Sequence, residues 1–99
     1  MQRVARLEHP EVREIVPSHH CVLRFRQRRP VRERGTEAVA DALIAALEDC
    51  DVSGWPPAWA LGERDPGLWA VNDDLAFPLE RTPTPGRFLA TTCLSRPRR

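Results

Sequence analysis

The first half of the chain contains two segments in which apolar residues recur at helical spacing. The first segment predicts a helix over residues 19–29, because Ser18 is a typical N-cap and Pro30 opposes continuation of the helix. Its predicted buried face consists of Cys21, Val22 and Phe25. An adjacent face carries a line of residues at intervals of four, namely His20, Arg24 and Arg28.

The second segment predicts a helix over residues 37–50. Thr36 is its expected N-cap after Gly35, and Glu37 suits the positive end of the helix dipole. The residues that we expect to be buried are Val39, Leu43, Ala46, Leu47 and Cys50.

After residue 52 the pattern changes from helical spacing to short apolar runs divided by turn residues. These runs predict strands over residues 58–61, 68–71, 75–79 and 88–94. Pro78 lies inside one run and is expected at a sheet edge or at a bulge, because proline has no amide to donate.

Together these elements predict a single α+β domain, residues 1–99, in which two N-terminal helices pack on a small three- to four-stranded antiparallel sheet. Residues 1–16 fit an arm, an edge strand or a short helix, and residues 95–99 are expected to fray as a basic tail. A chain of 99 residues is too short for a multidomain enzyme. It has neither the apolar run of a spanning helix nor that of a secretory signal, so we expect a cytoplasmic protein without a membrane partner.

Charge is segregated along the chain although the net charge is only +1. Residues 1–34 carry +5, residues 35–80 carry −9 and residues 81–99 carry +5, and every cation is arginine. One interpretation is that the basic ends fold back on the acidic middle. The other is that part of the arginine excess forms a surface for nucleic acid.

Three cysteines and three tryptophans each allow two interpretations. Cys21, Cys50 and Cys93 fit buried structural thiols better than a zinc site with His19 or His20, and we predict neither a metal nor another cofactor. The tryptophans fit core or loop packing better than stacking platforms for bases, and they are Trp55, Trp59 and Trp69.

The stretch that starts at Ser18 has the pattern S-x-H-x-x-x-R-F, followed by a further arginine four positions after Arg24. It resembles the S-x-H-A-x-x-R-F-x-x-R opening of small bacterial and phage proteins similar to the RelE/ParE toxin superfamily. The resemblance extends over residues 17–94 in element order, and only its first dozen residues match specifically. It implies a RelE-like fold, a role on RNA and a protein partner such as an antitoxin or a complex subunit.

The resemblance also implies ribonuclease chemistry, in which the ribose 2′-hydroxyl attacks the adjacent phosphate. In that hypothesis His20 is the catalytic base or acid, and Arg24 and Arg28 hold the phosphate. The expected additional nucleic-acid contacts are Arg26, Arg87, Arg96 and Arg98.

Two alternatives stand beside the ribonuclease hypothesis. The chain has no Lys or Tyr, which RelE-type nucleases often use, and ParE-type relatives act on gyrase without nuclease chemistry. The chain would then be a non-catalytic module that binds a protein or nucleic acid. In a purely structural role, Arg24 and Arg28 would pair with carboxylates such as those of Asp41 or Glu48.

Overall fold

A computed structural model describes residues 3–28, 35–60 and 66–97. The helices are α1 (His19–Arg28) and α2 (Thr36–Glu48), and a short 3-10 helix spans Ala58–Ala60. The strands are β1 (Ala5–Arg6), β2 (Glu14–Pro17), β3 (Asp51–Ser53), β4 (Leu68–Val71), β5 (Leu75–Arg81), β6 (Arg87–Ala90) and β7 (Leu94–Ser95).

The strands form one mixed sheet in the order β1-β2-β6-β5-β4-β3, with β7 paired to β5 beyond the end of β6. The pair β2 and β6 is parallel, and every other pair in the described part of the sheet is antiparallel. The predicted fold of two N-terminal helices on a three- to four-stranded antiparallel sheet is therefore wrong. Two strands, β1 and β2, precede the helices. Ile15 and Val16 of β2 are both buried, and β2 lies beside β6.

Both predicted helices are confirmed. In α2 the N-cap is Gly35 rather than Thr36, and the amide of Val39 donates to the Gly35 carbonyl at 3.1 Å. The helix therefore begins one residue earlier than predicted. The predicted end of α1 at Pro30 lies outside the described residues.

The core lies between the two helices and one face of the sheet. The buried helix residues are Cys21 and Phe25 of α1 and Val39, Leu43 and Leu47 of α2. Strand β5 is buried on both faces, since all residues from Leu75 to Leu79 are buried. Trp69 is fully buried and is the register partner of Pro78, so it packs in the sheet as the core interpretation predicts.

Pro78 lies in a central strand, opposite a bulge in the neighbouring chain segment. Between the β5–β6 and β5–β7 pairs, Phe77 and Pro78 face the three residues 91–93. The amide of Thr91 donates to the Pro78 carbonyl at 3.1 Å. Of the two predicted positions for Pro78, the structure has the bulge. The bulge also divides the predicted strand 88–94 into β6 and β7.

The predicted strand at residues 58–61 is wrong. Residues 58–60 form a 3-10 turn in which the Ala60 amide donates to the Pro57 carbonyl at 2.8 Å. The preceding pair of prolines and the alanines on either side of Trp59 lack the β-branched side chains that favour a strand. In the described part of the segment 1–16, residues 5–6 form the edge strand β1 and residues 14–16 begin β2.

Ser18 joins α1 to the end of the parallel strand pair. Its hydroxyl accepts the Cys21 amide at 3.0 Å, as predicted for an N-cap, and donates to the Thr91 carbonyl at 3.0 Å. Its own amide donates to the Ala90 carbonyl at 3.0 Å. The position of α1 on the sheet is therefore fixed by hydrogen bonds as well as by the packing of Cys21 and Phe25.

All three cysteines are free and buried, which agrees with structural thiols. Burial raises the pKa of the Cys21 thiol well above its usual range. Burial, together with the carboxylates of Asp49 and Asp51, raises the pKa of the Cys50 thiol to about 12. Because the fold favours the neutral thiols, their contribution to stability is complete below the ordinary thiol pKa and is lost as the pH rises above it.

We expect Ser18→Ala to lower the free energy of unfolding by about 1–2 kcal/mol, because the Cys21 amide and the Thr91 carbonyl both lose a partner. Urea unfolding followed by circular dichroism measures the change. Ser18→Thr keeps the hydroxyl and should stay close to the unmodified protein. An unchanged unfolding curve for Ser18→Ala would contradict the stabilising role of these bonds.

The native protein should resist thiol labelling at about pH 8, because the three thiols are buried and neutral. Labelling with an aromatic disulfide reagent, followed by absorbance, should be slow in buffer and complete in urea. Rapid reaction of one thiol in buffer would show that its site opens to solvent.

Candidate functional site

Helix α1 buries little of its surface, so most of its polar side chains reach solvent. Only Cys21 and Phe25, which are four residues apart, are buried, and Val22 is partly buried. The three predicted site residues are all exposed, namely His20, Arg24 and Arg28. They lie on one side of the helix because each step of four residues returns to nearly the same face. We call these three residues the basic line.

The basic line follows the chain segment that contains the bulge. Ser18, just before α1, is bonded to Thr91, and at the other end of α1 the Arg28 Nη1 donates to the Ser95 Oγ at 3.2 Å. Helix α1 therefore runs alongside residues 91–95. Thr91 and Ser95 were not predicted as part of the site. Pro78 indicated that a strand beside its own strand would be interrupted.

Arg96 lies at the Arg28 end of the basic line, one residue beyond Ser95. It is exposed, and its amide donates to the Asp74 carbonyl at 2.7 Å. The structure thus brings Arg96 close to the basic line, next to the turn that contains Asp74. The predicted contact Arg98 lies outside the described residues.

Arg26 and Arg87 are not brought to the basic line. Arg26 is exposed but lies about 200° around the helix from Arg24, because each residue advances the helix by about 100°. Arg87 begins β6, and its Nε and Nη2 both lie 3.2 Å from the Glu14 Oε1 in β2. The charge of Arg87 is therefore compensated locally, at the end of β6 that is remote from Thr91.

The charge of the basic line is not compensated within the described residues. Neither Arg24 nor Arg28 forms an ion pair there, and Arg24 bonds only to the Gln27 Oε1, at 3.4 Å. The carboxylates that could have opposed them have other partners. Asp41 pairs with Arg3, and the Glu48 Oε2 accepts the Arg6 amide at 3.0 Å. The expected pairing of Arg24 and Arg28 with these carboxylates is absent from the part of the chain that the structure describes.

The arrangement provides two guanidinium groups one helical turn apart and an imidazole one turn before them. Guanidinium groups bind phosphate oxygens in a bidentate manner, and a step of four residues is about 6 Å along the helix. Within the described ranges no side chain is hydrogen-bonded to the His20 ring. The two arginines of the site therefore have the charge and the geometry to bind an anion.

The described residues offer no group of three or more His, Cys, Asp or Glu side chains that could hold a metal ion. The exposed imidazoles of His19 and His20 lie at the surface, whereas Cys21, Cys50 and Cys93 lie in the core. The zinc alternative therefore has no support in the described residues. Among the helices in these ranges, none combines the length and the apolar character that crossing a membrane requires.

Comparisons with known proteins add no assignment. No protein-family model matches the chain, and neither a curated protein nor a solved structure matches it. The resemblance of the Ser18 stretch to RelE/ParE-type proteins therefore stays a prediction.

Proposed function

We propose that this protein binds RNA through the basic line of α1, as the resemblance of the Ser18 stretch implies. The observation that carries the proposal is the exposure of His20, Arg24 and Arg28 on one side of the helix, with no carboxylate of the described residues paired to the arginines. Exposed cations that lack a local partner attract the phosphate backbone and gain free energy by releasing its counterions.

The backbone is the expected point of contact on the RNA. Arg24 and Arg28 match phosphate oxygens in geometry and charge, and Arg96 extends the cationic surface beyond Ser95. Contacts of this type position a nucleic acid without reading its bases. Binding should therefore depend strongly on salt and weakly on RNA sequence, and an RNA ligand is consistent with the cytoplasmic location expected from the sequence.

Cleavage of the bound RNA is the further step that the resemblance implies. The 2′-hydroxyl would attack the adjacent phosphorus and displace the 5′-oxygen of the next nucleotide, with His20 accepting the hydroxyl proton, Arg24 stabilising the charge that develops on the phosphate oxygens and solvent water protonating the leaving 5′-oxygen. The spacing of one helical turn between these two side chains supports this assignment. The fold expected from the resemblance is wrong, so the cleavage proposal depends on these side chains alone.

The second candidate function is a non-catalytic module that binds RNA or a protein partner such as an antitoxin or complex subunit. The observation that favours it is that no described side chain is hydrogen-bonded to the His20 ring, because a catalytic base is usually oriented by a third group. Where this module binds RNA, both candidates use the basic line and differ only in whether the RNA is cut.

We expect Arg24→Gln and Arg28→Gln each to weaken RNA binding by about tenfold, the value of one charge-assisted contact of about 1.4 kcal/mol. Fluorescence anisotropy with a labelled single-stranded RNA at several salt concentrations measures the change. Each variant should also reduce the slope of log K against log salt by about 0.7.

Arg6→Gln is the matched control for RNA binding, because Arg6 is exposed on β1 and lies 3.5 Å from the Glu14 carboxylate. Its affinity should stay close to that of the unmodified protein. If all three variants lose affinity equally, RNA binds by overall charge and not at the basic line.

If the protein is a ribonuclease, His20→Ala should abolish cleavage and leave the melting temperature unchanged, because His20 is exposed. His19→Ala is the control, since its exposed ring lies about 100° away around the helix. Gel analysis of a labelled RNA after incubation measures cleavage. RNA left intact by the unmodified protein would exclude the ribonuclease candidate and favour the binding module.

A further inference from the structure

Strand β3 forms one edge of the sheet, and β6, β5 and β4 lie between it and β2. It pairs with β4 through the register Asp51–Val71, Val52–Ala70 and Ser53–Trp69. No other described strand lies beside it. The outer side of β3 therefore presents backbone amides and carbonyls, which is the arrangement that accepts an additional strand from another chain.

Trp55 lies immediately beyond β3, and its side chain is 78% exposed. Its backbone is fixed, because the Ser53 Oγ accepts the Trp55 amide at 3.1 Å and donates to the Trp55 carbonyl at 3.0 Å. The indole is thus presented at a defined position next to the free edge. A large exposed aromatic side chain is typical of the anchor residues of protein interfaces.

The start of β3 is acidic. Asp49 and Asp51 are both exposed, and neither forms an ion pair with a described residue. Their negative charge adds to that of the segment 35–80, which carries −9. Among the described residues, this edge therefore combines backbone without a strand partner, two carboxylates and one aromatic ring. We call Asp49, the outer side of β3 and Trp55 the β3 edge.

We propose that the β3 edge binds an extended, arginine-rich segment of a partner protein, which adds to β3 as a further strand. The guanidinium groups of this segment would face Asp49 and Asp51, and one would stack on the Trp55 indole, which attracts cations by its ring. The negative charge of Asp49 and Asp51 favours this positively charged segment as the occupant.

The charge of the β3 edge disfavours other occupants. RNA is repelled by the carboxylates of Asp49 and Asp51. A second copy that paired its own β3 here would bring two sets of these carboxylates together. The proposal is independent of the RNA function, since the basic line is on α1 and carries the opposite charge.

The test uses a fluorescent peptide of alternating arginine and valine and measures its binding to the full chain by anisotropy. We expect saturable binding that Trp55→Ala and Asp51→Asn each weaken about fivefold, an effect of about 1 kcal/mol. Both side chains are exposed, so both variants should fold. Glu37→Gln is the control, because Glu37 is an exposed acid at the opposite end of α2 and should leave the affinity unchanged.

A second peptide with the same sequence and charge, but with alternate backbone amides methylated, separates strand addition from simple charge attraction. We expect it to bind at least tenfold more weakly. Equal binding of the two peptides, or no binding of either, would overturn the proposal. So would a dimer in sedimentation equilibrium that Trp55→Ala dissociates, because the occupant would then be a second copy.

Discussion

The hydrogen bonds of Ser18 determine where the surface of α1 points. One side chain and its amide connect three elements, since they bond the first turn of α1, the end of β6 and the start of the bulge. Without these bonds α1 would be held weakly, because only two of its residues, Cys21 and Phe25, are buried. Because Ser18 fixes one end and the Arg28–Ser95 bond the other, the basic line keeps a constant relation to residues 91–95. The proposed RNA site depends on this relation.

Among the described residues, some arginines are paired with carboxylates and those of α1 are not. Three arginines in or near β1 and β6 have their positive charge compensated by carboxylates. Arg3 pairs with Asp41, and Arg6 and Arg87 pair with Glu14. Of these three pairs, only Arg3–Asp41 joins a basic end of the chain to the acidic segment 35–80, since Glu14 belongs to the basic N-terminal segment itself. On α1 no such pairing exists among the described residues, although α2 beside it is acidic. Among the described residues, α1 thus carries cations without carboxylate partners and the start of β3 carries carboxylates without arginine partners, and the two proposals assign these groups to ligands of opposite charge.

Sequence patterns predicted the elements whose signal extends over several turns or alternations. Both helices were found because Cys21 and Phe25, and Val39, Leu43 and Leu47, repeat at helical spacing. Strand β4 has the predicted bounds. Strands β1 and β3 have only two and three residues, which is too few to show an alternating pattern, and β2 places two buried residues, Ile15 and Val16, next to each other. Helix geometry placed His20, Arg24 and Arg28 on one face, but the sequence left open whether this face is exposed. The pairing of Arg87 with Glu14 could not be predicted from the sequence, because it depends on the register of two strands that are distant in sequence.

The parallel pairing of β2 with β6 has a consequence for how the chain reaches its fold. Glu14 and its partner Arg87 are 73 residues apart, and β6 ends only at Ala90. During synthesis, β2 leaves the ribosome before β6, and the 73 residues from Glu14 to Arg87 must be added before its partner exists. Closing so long a loop is entropically costly and slows folding. The centre of the sheet is therefore completed late, and until then Ile15 and Val16 are exposed to chaperones and to association with other nascent chains.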